Sequence, residues 1–108
     1  LNILHKNLKE LNKNKYDFVF YVAGVDIHFE DRLGKLKITD EGINKRDQIV
    51  IENFYSRNIP LCGVLGGGYN KSFEKLIELH SMLHKNCAKI IWYLNFYSLI
   101  TYFYLYSY

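Results

Sequence analysis

Four leucines, Leu1, Leu4, Leu8 and Leu11, recur at helical spacing with Lys, Asn and Glu between them. That period predicts an amphipathic helix over residues 1–15. Asn12, Lys13, Asn14 and Lys15 end it, because Asn favours turns over helix interiors. The pattern then changes. Residues 17–22 read D-F-V-F-Y-V, and an apolar run rich in Val and aromatics predicts a strand buried on both faces. Residues 23–38 are too polar for a strand and have no helical period, so they predict a long loop, of a length that is usually functional. Thr39 is the expected N-cap of a second helix, with Asp40 and Glu41 where the helix dipole favours acids. Ile43, Val50, Ile51 and Phe54 form its apolar face to about Arg57, and Asn58 and Pro60 stop it. Residues 59–65 predict a second buried strand, broken by Gly66-Gly67-Gly68. Asn70 or Ser72 caps a third helix with the face Phe73, Leu76, Ile77, His80 and Leu83, ended by Lys85 and Asn86.

The order α-β-α-β-α contains one βαβ unit, and such crossovers are parallel and right-handed in nearly all cases. The fold class is therefore α/β, a parallel-sheet fragment with flanking helices. Parallel strands end on one edge of the sheet, which is where ligands bind in open α/β folds. Asp26 follows the first strand and Tyr69 the second, so both belong to that edge. The tail, residues 90–108, has no charge. Three readings of it stay open: a membrane-spanning helix, a helix or strand docked on the sheet, and sequence foreign to the domain.

At 108 residues the chain holds one domain at most, and 49% hydrophobic content excludes disorder by composition. The net charge of +3 comes from scattered lysines, which excludes a nucleic-acid role. Cys62 and Cys87 are not a C-x-x-C pair and read as reduced, partly buried thiols of an intracellular, cytoplasmic protein. No secretory leader pattern opens the sequence. The chain begins with Leu1, inside a helical pattern and without an initiator Met, so the expectation is a fragment.

Asp26-x-His28 pairs two residue types that bind zinc, yet a catalytic zinc needs three protein ligands. Asp26 reads equally as a loop carboxylate capping backbone N–H groups. Gly66-Gly67-Gly68 lacks the spacing of a phosphate-binding loop. The glycines instead let the backbone pass close to a ligand, and the Tyr69 phenol at the edge can donate to a developing oxyanion. The plain alternative is a half-buried rim aromatic. His80 and His84 are a helix-surface pair without H-E-x-x-H.

The segment A-G-V-D-I-H-F-E-D-R-L-G-K-L-K-I-T-D-E-G-I, residues 23–43, and L-G-G-G-Y, residues 65–69, resemble the C-terminal part of the arginase/deacetylase superfamily. The likeness is to the zinc-dependent histone deacetylases, in particular class IV, through D-R-L-G-K-L-K-I and Lys45-Arg46-Asp47. It covers residues 16–89. The resemblance implies a fragment of a three-layer arginase/deacetylase-like fold, with residues 1–89 in the deacetylase-like domain and 90–108 outside it. It implies zinc-dependent hydrolysis of acyl-lysine or related acylamines. Asp26 is then one of three metal ligands and Tyr69 the catalytic phenol. Leu33, Gly67 and Gly68 line the acyl tunnel, and His28 is a loop residue, not a ligand.

The family's tandem histidines and its earlier D-x-H ligands are absent from this sequence. The expectation is therefore a part of a longer or split enzyme, inactive alone and not retaining zinc, whose partners are an acyl-lysine protein or acylamine and the missing N-terminal half. Two other readings stand beside it. One is a non-catalytic interaction module that pairs with that half. The other is a small protein anchored to a membrane by residues 90–108. Which acyl substrate is used is not written in this stretch.

Overall fold

The computed structural model describes residues 1–106, with side chains through Tyr93. Helix α1 spans Asn2–Leu11, four residues shorter at its end than the leucine period predicts. It stops where Asn12 turns its side chain to Asn53 and accepts from Arg57, which also donates to the Asn12 carbonyl. Strand β1, Val19–Gly24, begins two residues later than expected. Its ladder starts where the Val19 amide donates to the Pro60 carbonyl (2.9 Å), just ahead of its partner strand.

Helix α2, Asp40–Tyr55, begins at Thr39, whose hydroxyl accepts from the Gly42 amide. Its buried face carries Ile43, Val50, Ile51 and Phe54 as the spacing predicts, and also Asp47. It ends in a Schellman-type turn. Asn58 takes a left-handed φ of 56°, with Ile59 N–H donating to Phe54 and Asn58 N–H to Tyr55. Strand β2, Leu61–Gly66, runs parallel to β1, from Val19 opposite Leu61 to Gly24 opposite Gly66. Helix α3, Phe73–Tyr106, is capped by Ser72, whose hydroxyl accepts from Lys75 N–H.

Two expectations fail here. Helix α3 does not end at Lys85-Asn86. Asn86 is buried and its amide donates to the Asn44 carbonyl and side chain and to the Met82 carbonyl, so it ties α3 to α2 instead of breaking the helix. The helix backbone then continues through most of the uncharged tail. The end of the tail, residues 107–108, and the side chains from 94 on lie outside the description. Among the described residues no helix is long and apolar enough to cross a membrane. The face of α3 is also offset. Among its described side chains Leu79 and Leu83 are the buried apolar ones, whereas Phe73 and Ile77 point outward.

The strands are not buried on both faces. Val19, Tyr21 and Ala23 pack toward the helices, but Phe20 and Val22 are 72% and 67% exposed. All three helices pack from one side, so the described residues build two layers of the three that the resemblance implies. Leu8, Val50, Phe54 and Ile59 form one buried cluster and Ala23, Ile51 and Leu83 a second. A third, Val25, Ile43 and Leu79, lies beneath the loop after β1. Each buried Val, Leu, Ile or Phe among them contributes about 1.5–3 kcal/mol by leaving water.

Candidate functional site

The register of β1 and β2 decides what meets at the carboxyl edge. Gly24 and Gly66 are paired, so the two loops leave the sheet side by side. Asp26 lies two residues beyond Gly24, half-buried. Its carboxylate rests against the glycine turn: a methyl on Gly67 would sit 2.8 Å from Asp26 Cγ. Gly67 and Gly68 have φ of 58° and 107°, which favours residues without a side chain. A methyl on Gly68 would fall 2.5 Å from Leu76 and 2.8 Å from Val25, so this turn is also pressed onto the core. Tyr69 follows at the rim, 46% exposed. Leu33 stands on the neighbouring loop, 67% exposed. The fold thus brings Asp26, Gly67, Gly68, Tyr69 and the Leu33 loop to one edge.

That loop is ordered by a carboxylate to which the sequence reading gave no role. Asp31 is buried, and its Oδ1 accepts from the amides of Leu33 (2.8 Å) and Gly34 (2.7 Å). Its Oδ2 accepts from the Tyr69 amide at 2.6 Å, thirty-eight residues away. Arg32 Nε donates to the Tyr69 carbonyl at 3.0 Å. Burial alone would push the Asp31 carboxyl up. The amides of Gly34, Tyr69 and Leu33, with the Arg32 charge, outweigh it and hold the carboxyl below its usual value. The signal for this role was legible: Asp with a Gly three residues on is a side-chain-to-backbone turn pattern.

A second network fixes the end of β1. Arg46 Nη1 donates to the Gly24 carbonyl (2.5 Å) and its Nε to Asp47 Oδ1 (2.9 Å). The other terminal nitrogen lies 2.8 Å from the same oxygen but outside hydrogen-bond geometry. Tyr21 donates its phenol to Asp47 at 2.5 Å, and burial followed by that bond raises the Tyr21 phenol above its ordinary value. An acid on the apolar face of α2 was the sequence clue to this arrangement.

His28 is almost wholly buried. Its Nδ1 accepts from Glu30 N–H (3.3 Å) and its Nε2 lies 2.6 Å from Asp40 Oδ1, so both ring nitrogens are engaged inside the protein. His80 is half-buried beside Gly68 and His84 is exposed. Both cysteines are free and half-buried, and burial pushes the Cys87 thiol up. Asp26 has no hydrogen bond or ion pair to another described side chain. No cluster of three His, Cys, Asp or Glu able to hold a metal ion exists among the described residues. A single carboxylate does not fit a catalytic zinc, which takes three protein ligands.

Together these features define an α/β protein whose candidate site is the carboxyl edge of a parallel sheet, where an acid-bearing loop meets a glycine-tyrosine turn. Comparison with known proteins narrows the class. The Histone deacetylase domain family matches residues 1–83, and the chain belongs to that family. An uncharacterised protein of Picosynechococcus sp. is 43% identical over 86 residues, which is 79% of this chain and 29% of that protein. Histone deacetylase 2 of Arabidopsis thaliana is 44% identical over 61 residues, 56% of this chain and 16% of that protein. The chain therefore spans less than a third of the length of either relative.

Proposed function

We propose that the chain supplies the carboxyl-edge half of a zinc-dependent deacylase site acting on acyl-lysine or a related acylamine. The observation that carries this reading is the parallel register, which sets the Asp26 loop beside the Gly67-Gly68-Tyr69 turn in a member of the histone deacetylase family. In this reading Asp26 is one metal ligand, and the remaining ligands and the general base come from outside the chain. Zinc supplies Lewis acidity when bound. The Tyr69 phenol donates a hydrogen bond to the acyl oxygen as that oxygen gains negative charge. Leu33, Gly67 and Gly68 form the walls along which the acyl chain lies.

The chain alone is then inactive and pairs with polypeptide that completes the sheet. The exposed apolar side chains of Phe18, Phe20 and Val22 favour that pairing, because they present an uncovered sheet face. The test is hydrolysis of an acetyl-lysine peptide by the completed, zinc-loaded assembly. Tyr69→Phe should lower turnover about 10²–10³-fold, the usual cost of one oxyanion donor. Unchanged turnover in Tyr69→Phe would refute this reading.

A further inference from the structure

We propose that Asp31 and Arg32 are positioning residues that fix Tyr69 through its backbone, and that Asp31 couples it to the Leu33 loop. This rests on the role proposed for Tyr69. Three observations converge. The segment before Tyr69 has little stiffness of its own, since Gly67 and Gly68 both occupy φ values open to glycine. Tyr69 is 46% exposed, so packing covers only about half of it. Its peptide groups are held on both sides instead, the N–H by Asp31 Oδ2 and the C=O by Arg32 Nε. The neighbouring Asn70 adds a long contact, 3.5 Å, to Glu30 on the same loop.

The division of labour within Asp31 gives the coupling. Oδ1 takes the amides of Leu33 and Gly34, and Oδ2 takes Tyr69. One buried carboxylate thus sets the place of a proposed channel wall and of the proposed phenol. A charge-accepting oxygen is needed at both ends, and an amide side chain provides only one. Asp31→Asn best keeps its oxygen on the two loop amides and turns its NH₂ toward Tyr69 N–H.

The experiment is residue-resolved NMR on the isotope-labelled chain. In Asp31→Asn the Tyr69 amide should exchange with solvent about tenfold faster or more. The Val25 amide, bonded to the Gly66 carbonyl, serves as the internal control and should not change. In Arg32→Gln, at an exposed position, the Tyr69 carbonyl carbon resonance should move and its ring signals broaden while the melting temperature holds. A general loss of structure would accelerate Val25 as well, and the Arg32→Gln spectrum then decides alone. Tyr69 resonances unchanged in Arg32→Gln, or a Tyr69 amide unaltered in a folded Asp31→Asn chain, would overturn the proposal. These readouts need no turnover, so they fail separately from the deacylase reading.

Discussion

Two carboxylates five residues apart on one loop behave in opposite ways. Asp31 is buried and accepts three backbone amides, drawn from its own turn and from the turn after β2. Asp26 lies closer to the strand end, half-buried against Gly67, and pairs with no described side chain. A carboxylate spent on backbone amides belongs to the architecture. One at a sheet edge without a described partner is not spent on the fold. The first orders the loop, and the second stands at its edge outside those bonds.

The sharpest way to break this division is to disturb the loop beneath both groups. A methyl on Gly34 would overlap the Asp26 carbonyl oxygen, a backbone atom that cannot rotate away. Gly34→Ala should cost about 3 kcal/mol in urea unfolding, since the loop must shift as a unit. A near-neutral effect would mean that the loop is far looser than its bonds indicate.

Next in size is the acid dependence of Asp31. Its folded pKa lies below the unfolded value, which is about 3.9. Near that pH the unfolded chain binds more protons, so the stabilisation is present above about pH 4 and is lost as pH falls through the folded value. Asp31→Asn should flatten part of the acid limb of a stability-versus-pH curve. Asp40, whose carboxyl is also held down, by Lys75 first and then His28 against its burial, accounts for part of what remains. An identical acid limb in the variant would show that Asp31 is not the anion holding the two turns.

The smallest effect belongs to Asp26. With no partner to lose, Asp26→Asn should change stability by no more than about 0.5 kcal/mol, the range of substitutions away from structural features. A large loss would place Asp26 in the architecture and remove the contrast.

The order of elements and the parallel pairing were readable because apolar periodicity and glycine turns are local signals. Thr39 and Ser72 cap the helices as their chemistry dictates. Asp26 and Tyr69 could be placed on one edge from topology alone. What could not be read depends on long-range partners. Asn86 has the look of a helix stop until Asn44 is seen across from it. Phe20 and Val22 belong to an unbroken apolar run, yet only packing reveals which face is covered. The roles of Asp31 and Arg46 needed the second loop and the strand carbonyl in place. Their residue types gave a local hint, an Asp-x-x-Gly turn and an acid on an apolar helix face, but not the atoms they hold.

The central claim is that this edge is half of a hydrolytic site. The direct measurement is release of acetate from an acetyl-lysine peptide in the presence of zinc, first by the purified chain and then after addition of polypeptide covering the rest of a histone deacetylase domain. The account predicts no turnover from the chain alone, and turnover in the mixture that falls in Asp26→Asn and in Tyr69→Phe. Turnover by the chain alone, or a mixture indifferent to both substitutions, would contradict it.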